Sequence, residues 1–147
     1  TNQFNLTTRR HSHSKISAWV DGSEATVAWL RLRDHFGDQG IVCVGILFKK
    51  GTRCTIDTYL MSCRVMNRQV ERAFMAYLIE CAKRMECDEV IGEYIPTPKN
   101  SMVANFYDEM GFDKEAERED LKRFKLDLAT NRIEWPAFID RKSSTED

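Results

Sequence analysis

The sequence lacks the features that would place it in a special class of protein. No apolar run approaches the roughly 20 residues of a membrane-spanning helix. With 3 Pro and 7 Gly in 147 residues, linker-like and collagen-like stretches are excluded. The chain also has no excess of either charge, since its 22 Lys and Arg nearly balance its 23 Asp and Glu. Neither nucleic acid nor a membrane is therefore expected as a partner. The remaining composition, 42% hydrophobic and 31% charged, is typical of one folded domain.

The five cysteines include no C-x-x-C pair. Cys87 opens an apolar pattern, and the others lie within apolar strand or helix patterns, at Cys43, Cys54, Cys63 and Cys81. This arrangement favours reduced thiols facing the core of a cytoplasmic protein. The histidines at 11, 13 and 35 are far from every cysteine in sequence, so no metal site is expected.

The first half of the chain predicts a strand, a helix and an antiparallel meander. Residues 3–8 are a possible strand, and Ser14 can cap a short helix that ends at Asp21 and Gly22. Three strands are predicted after it, at residues 25–34, 41–48 and 53–63, with turn residues between them. The middle strand is almost wholly apolar, as expected of a strand covered on both faces.

The second half changes to a helical period. Apolar residues recur at three- and four-residue steps from Val70 to Met85 and predict a long amphipathic helix. A strand at 90–95, a helix at 100–110 and a final strand at 124–128 are expected after it, with a charged stretch at 113–123. Gly111 occupies the place of a left-handed helix cap, with Phe112 folding back as its hydrophobic contact. We therefore predict one mixed α/β domain over residues 1–140 and a flexible tail at 141–147.

Two segments of this pattern could carry chemistry. The junction at residues 63–70 joins a strand to the long helix, where unpaired backbone N–H groups and the helix dipole can hold a phosphate, with Arg68 as an added cation. The alternative is an ordinary helix start. In the second segment, Tyr107 carries a phenol that could protonate a departing thiolate. Its alternative is an amphipathic helix that ends at a glycine.

Together these motifs resemble the GNAT superfamily of N-acyltransferases. The junction follows an Arg/Gln-x-x-Gly-x-Gly/Ala pattern with Arg64, Asn67 and Gln69 at its three positions, and residues 106–112 match Phe/Leu-Tyr-x-x-x-Gly-Phe in full. The resemblance implies a mostly antiparallel central sheet flanked by helices. It also implies binding of acetyl-CoA or another acyl-CoA, with the pyrophosphate on the backbone amides from Asn67 to Val70.

The same resemblance assigns roles to further residues. Tyr107 would protonate the coenzyme thiolate, Asn100 would lie near the pantetheine arm, and Leu60, Met61 and Ser62 would offer backbone amides to the acyl carbonyl. Both loop glycines of the family pattern are missing here. Asn67 tolerates the left-handed conformation best among the other residues, whereas the side chain of Gln69 could narrow the groove. Binding of the coenzyme or of a phosphopantetheine thioester is therefore expected to be weakened.

A closer resemblance covers most of the chain. Residues 1–10, 31–34 with 36–38, 62–65 and 92–100 are similar to the C-terminal part of FkbH-like bacterial proteins. In that family a haloacid-dehalogenase-type (HAD) domain precedes a GNAT-like domain, and a glyceryl unit is loaded onto an acyl carrier protein for polyketide synthesis. The resemblance implies a carrier protein and an adjacent HAD-like domain as partners, in a domain cut from a longer protein. The phosphotransfer motif Asp-x-Asp-x-Thr is absent from the sequence, so phosphatase chemistry is not expected.

Two carboxylates are candidates for the general base. Asp57 interrupts an apolar strand, and Glu93 lies near the end of the next one, where Tyr59 and Tyr94 could desolvate them. Alternatively each carboxylate is bonded to Arg64 or to backbone N–H groups. Two functions follow: an acyltransferase domain that uses an acyl-CoA or carrier-protein thioester, or an inactive module that binds a carrier protein or its phosphopantetheine.

Overall fold

The computed structural model describes residues 4–9, 11–21 and 25–142. The helices are α1 (His13–Asp21), α2 (Val70–Arg84) and α3 (Phe106–Glu109), with 3₁₀ turns at Cys63–Val65 and Ser101–Val103. The strands are β1 (Ala25–Asp34), β2 (Gly37–Lys50), β3 (Arg53–Met61), β4 (Glu89–Tyr94), β5 (Asp113–Glu117) and β6 (Lys122–Asp127). The ends of two predicted segments, Gly22 and residues 143–147, lie outside the described residues.

The strands form one six-stranded sheet in the order β1-β2-β3-β4-β6-β5. The first three strands make the predicted antiparallel meander, β3 pairs with β4 in parallel, and β6 is antiparallel to both of its neighbours. The predicted mixed, mostly antiparallel α/β fold is therefore confirmed. Adjacent residues of β2, Val42 and Cys43, are both buried, so this strand is covered on both faces as its apolar run predicted.

Helix α2 packs across one face of the sheet through the apolar stripe that the sequence predicts. Its buried residues are Val70, Ala73, Phe74, Met75, Ala76, Leu78, Ile79, Cys81 and Ala82. The helix approaches β2 at Gly45, where a Cβ would lie 3.2 Å from Leu78 and 3.3 Å from Phe74. A Cβ here would be a tight contact, so the side chains of Leu78 and Phe74 would have to shift by a few tenths of an ångström to accept a larger residue.

Strands β3 and β4 separate part of the way along their length. They pair from Arg53 opposite Glu89 to Ile56 opposite Gly92, and β3 then continues alone to Met61. A β-bulge lies at the point of separation, because β2 pairs Leu47 with Ile56 and Ile46 with Thr58. Asp57 is the residue left between them, and a bulge of this kind bends the strand and turns a side chain to a new direction. The result is a split in the middle of the sheet.

Three predicted elements differ from the structure. Of the strand predicted at residues 3–8, the described residues 4–8 do not form a strand and make one isolated bridge, between Asn5 and Leu60. The helix predicted at 100–110 is divided into the turn Ser101–Val103 and the four-residue α3, because its first bonds run from residue i to i−3. Strand β5 arises inside the charged stretch with all five residues exposed, so it shows no apolar alternation and is held by its pairing with β6.

Four of the five cysteines are buried, as expected, and Cys63 is exposed because it begins a 3₁₀ turn instead of ending β3. Burial raises the pKa of the Cys54 thiol to about 12. Arg141, at the start of the predicted flexible tail, pairs with Glu80 of α2 and lies over the rings of Tyr77 and Trp135. In the described part of the chain, no helix has the length and apolarity needed to cross a membrane.

Candidate functional site

The split between β3 and β4 is occupied by residues 4–7 of the chain itself, here named the inserted segment. The Leu6 N–H donates to the Tyr59 carbonyl at 3.1 Å, and the Met61 N–H donates to the Phe4 carbonyl at 2.9 Å. On the other side the Ile95 N–H donates to the Leu6 carbonyl at 2.7 Å. The inserted segment therefore satisfies backbone groups of β3 and of the residue that follows β4, where the two strands no longer pair with each other.

Asn100 fixes the inserted segment to the loop after β4. Its Nδ2 donates to the carbonyls of Asn5 and Ile95, each at 2.9 Å. Its Oδ1 accepts from the Thr97 N–H at 2.7 Å and from the Tyr94 hydroxyl at 3.3 Å. The side chain is fully buried, and its amide is engaged on both ends by the chain's own groups.

The three residues predicted to face an acyl carbonyl point their amides in different directions. In an antiparallel ladder successive N–H groups alternate between the two neighbouring strands. The Ser62 N–H accordingly donates to the Val42 carbonyl of β2 at 2.8 Å, and Leu60 stands opposite Val44 of the same strand. Met61 alone among the three donates into the split, where it meets Phe4.

Tyr107 lies beneath the split with its ring against β4. Its neighbours are the rings of Phe106, Phe112 and Phe124, with centroids 5.0–5.4 Å away, and the backbone of Gly92. The side chain is 1% exposed, and the hydroxyl has no hydrogen-bond partner among the described residues. Burial, with the nearby charge of Glu93, raises the pKa of the phenol. Its assignment as a general acid stays a prediction.

The two candidate bases, Asp57 and Glu93, belong to one buried ion-pair cluster. Arg9 Nη1 bridges them, 3.0 Å from Asp57 Oδ1 and 2.9 Å from Glu93 Oε1. The second oxygen of Asp57 accepts from Thr58 and lies 2.8 Å from His11 Nε2, and the second oxygen of Glu93 lies 3.3 Å from Arg123 Nε. The two carboxylates are therefore paired, but the alternative named the wrong partners, since Arg9, His11 and Arg123 stand where Arg64 or backbone N–H groups were expected.

Sequence reasoning missed Arg9, His11 and Arg123 as members of this cluster. Burial lowers the pKa of Arg9, but the hydrogen bonds and charges of Glu93 and Asp57 outweigh it, so the pKa is raised. His11 and Asp57 are 46 positions apart and Arg9 and Glu93 are 84 apart, so no local spacing could have indicated the cluster. The hydroxyls of Tyr59 and Tyr94 donate to the carbonyls of Glu71 and Asn100 and not to the two carboxylates.

The loop before α2 keeps the backbone shape of the glycine-containing pattern. Asn67 has φ 63° and Gln69 has φ 62°, so both positions where the family pattern has glycine are left-handed. Gln69 is the N-cap of α2 and makes no side-chain capping bond, and Val70 begins the helix. The amides at the start of α2 thus have the arrangement that binds anions in other proteins.

Side chains around this loop lower its attraction for an anion. Glu71 Oε2 accepts from the Asn67 N–H at 3.3 Å and so takes the first amide of the loop. Arg68 is paired with Asp34 at 2.9 Å, and Arg64 bonds to Ser62 and Gln39. Both arginines are therefore held toward the β1–β2 end of the sheet in this form. Among the described residues, no group of three or more His, Cys, Asp or Glu could hold a metal ion.

Comparison with known proteins identifies the fold through structure alone. No family model and no curated protein matches the sequence. A Bacillus subtilis acetyltransferase solved in complex with CoA superposes with a TM-score of 0.60 at 15% identity, over 80% of this chain and 84% of that one. The Escherichia coli ribosomal-protein-S18-alanine N-acetyltransferase gives a TM-score of 0.60 at 14% identity, over 84% and 81%.

A third structure, a GNAT-family acetyltransferase from Staphylococcus aureus, gives a TM-score of 0.61 at 16% identity, over 78% of this chain and 75% of that one. All three similarities are below 25% identity, so they bear on the fold alone. The chain therefore has the fold of the GNAT acyltransferases, which its loop and helix motifs predicted.

Proposed function

We propose that this protein is an acyltransferase-type domain that binds the thioester of coenzyme A or of phosphopantetheine. The phosphate end would lie on the amides of residues 67–70, and the thioester end would lie in the split between β3 and β4. The observation that carries this proposal is the left-handed conformation of both Asn67 and Gln69. A residue other than glycine is strained in this conformation by about 1 kcal/mol. The surrounding structure therefore holds the loop in a shape that the start of a helix does not require.

The physical basis for phosphate binding is the start of α2. A helix of 15 residues carries about half a positive charge at its N-terminus, together with N–H groups that have no partner within the helix. The fold similarity supports the same ligand, since one of the matching structures was solved with CoA. The carboxylate of Glu71 competes for this place, because it bonds to the Asn67 amide and repels an incoming phosphate.

Replacing Glu71 by glutamine is expected to strengthen binding of coenzyme A by about fivefold, since a charge beside a helix N-terminus contributes about 1 kcal/mol. The measurement is isothermal titration of coenzyme A into both proteins at low salt. Glu119→Gln is the matched control, because it removes one negative charge from an exposed loop between β5 and β6. Absence of binding to all three proteins at millimolar coenzyme would contradict the proposal.

A second candidate function is a module that binds the thioester without transferring its acyl group. The burial of Tyr107 and the pairing of Asp57 and Glu93 with arginines favour it, because the predicted acid and bases are then engaged or enclosed. In this version the ligand is the phosphopantetheine of an acyl carrier protein, and the partner is a HAD-like catalytic domain. The polyketide setting is supported by the four segments that resemble FkbH-like proteins.

The variant Tyr107→Phe separates transfer from binding. If Tyr107 is the general acid, acetyl transfer from acetyl-CoA to an amine falls by about 100-fold or more. If the domain only binds, its affinity for a holo carrier protein and the loading of that carrier stay unchanged. Loss of an unpartnered buried hydroxyl is expected to leave the free energy of unfolding unchanged or to raise it by about 1 kcal/mol. If the thermal denaturation curve of Tyr107→Phe matches that of the wild type, lost activity is due to the missing hydroxyl and not to unfolding.

A further inference from the structure

The inserted segment uses the backbone groups that an extended amide ligand in the split would need. Its Phe4 carbonyl accepts from Met61, and its Leu6 N–H donates to Tyr59. A pantetheine arm contains two amides, so it offers the same kinds of donor and acceptor along an extended chain. We propose that residues 4–7 are a gate, which closes the split in the free protein and is displaced when the thioester ligand binds. This inference rests on the proposed function.

The inserted segment has few backbone pairings with the sheet, although Asn100 and the burial of its side chains hold it in place. It forms one isolated bridge to β3 instead of a ladder, and three backbone hydrogen bonds join it to β3 and to Ile95. Phe4 and Leu6 hold it down through burial, with the Phe4 ring 5.2 Å from Phe106 and 5.8 Å from Tyr59. Displacement of the segment would uncover the ring of Phe106, which contacts Tyr107, and so would open a route from solvent to the buried phenol.

The ion-pair cluster is the latch of this gate. The Thr7 hydroxyl donates to the Asp57 carbonyl at 2.8 Å, immediately before Arg9 and His11 contact the side chains of Asp57 and Glu93. The segment cannot move away from β3 without lengthening these bonds. Arg9 and the two carboxylates are mostly buried, so the latch is sheltered from solvent screening. The carboxylates predicted as bases thus have a second role, as positioning residues for the segment.

A hinge and an open surface pocket lie at the end of the inserted segment. Thr8 has φ 56°, a left-handed conformation that is strained for a β-branched residue. Its N–H donates to Asn5 Oδ1 at 2.9 Å, which closes a turn. Thr8 also lines an open surface pocket of about 270 Å³ with Thr97, Pro98 and Lys99. A few loop positions that absorb a change in φ and ψ are enough for a hinge, so Thr8 is the point about which the segment would turn.

The test compares two leucine truncations in the full chain. Leu6 and Leu47 are both fully buried, but Leu6 belongs to the gate and Leu47 lies in β2 opposite the paired part of β3. We expect Leu6→Ala to bind coenzyme A about tenfold more tightly than the wild type, because a larger fraction of the protein is open. Leu47→Ala should stay within about twofold of the wild type, since it weakens the core without loosening the gate. If Leu6→Ala does not fold, Thr7→Val removes the bond to Asp57 and is expected to give about a threefold gain.

Hydrogen exchange measured by mass spectrometry reads the gate directly. Coenzyme A should increase exchange at residues 4–8 and decrease it at residues 67–71. Equal affinity of Leu6→Ala and the wild type, with residues 4–8 still protected in the complex, would overturn the gate and leave the proposed function standing. Failure of every variant to bind millimolar coenzyme A, although Leu6→Ala shows residues 4–8 already exchanging, would instead overturn the proposed function.

Discussion

Replacing Arg9 by methionine is expected to lower the free energy of unfolding by about 2–3 kcal/mol. The guanidinium lies between Asp57 and Glu93, 3.0 Å and 2.9 Å from their oxygens, in a cluster whose carboxylates are 16% and 11% exposed. Removing one member of a fully buried ion pair leaves an uncompensated charge, which destabilises a protein by roughly 3–5 kcal/mol. The effect here is smaller, because His11 and Arg123 remain and Arg9 itself is 29% exposed.

The control for this substitution is Arg118→Met. Arg118 lies 3.9 Å from Asp120 with both side chains mostly exposed, so its loss is expected to change the free energy of unfolding by less than about 0.5 kcal/mol. Urea denaturation of the three proteins at pH 7 measures the difference. Equal stability of Arg9→Met and the wild type would show that the cluster does not hold the N-terminal residues to the sheet, and would weaken the latch that the gate requires.

Replacing Gly92 by alanine is expected to destabilise the protein by about 3 kcal/mol. A Cβ at this position of β4 would lie 2.4 Å from Cε1 and 2.5 Å from Cζ of Tyr107. Both are atoms of a fully buried ring, enclosed by Phe106, Phe112 and Phe124, so the ring has little room to retreat. Overpacking of this kind destabilises a core by about 1–3 kcal/mol, and by more where the neighbour cannot move.

A double variant identifies the cause. If the clash with the ring is responsible, Gly92→Ala combined with Tyr107→Leu should lose less stability than the sum of the single changes, with a coupling free energy above about 1 kcal/mol. Gly45→Ala is the matched control, since it also adds a methyl to a strand glycine, at the longer contact distances of 3.2–3.3 Å. Thermal denaturation of the four variants gives the comparison. A purely additive double variant would show that strand propensity, not the contact with Tyr107, explains the loss.

Local patterns predicted the elements that have their own period or cap. The amphipathic stripe from Val70 gives α2, the alternating and apolar runs give the meander, and Gly111 has the left-handed φ of 89° expected of a helix cap. Asn67 also has the conformation predicted for it. The helix expected at 100–110 was only partly correct, because the Asn100 side chain bonds to Asn5 and Ile95 outside the helix and the segment turns again at Asn105.

The candidate site depended much more on contacts between distant residues. The family resemblance assigned roles to Asn100, Met61 and Tyr107, and the strand patterns added Asp57 and Glu93 as candidate bases; the structure shows what each of them contacts around the split between β3 and β4. Sequence reasoning could not place the inserted segment there. An extended stretch of six residues predicts a strand equally well beside any free edge, and the edge chosen depends on where β3 and β4 part.

The sequence by itself determined the class of the fold, its long helix and the meander, because each depends on residues within a few positions of one another. It indicated that Asn67 tolerates a left-handed conformation, but not that Gln69 adopts one. Because the net charge is close to zero, any positive charge at the site must come from individual arginines and a helix terminus. Only the tertiary structure decided that residues 4–7 close the split, that Arg9 and His11 hold Asp57, and that Tyr107 is enclosed. The physical reason is that these contacts join residues dozens of positions apart, so they exist only after the strands have separated at Asp57.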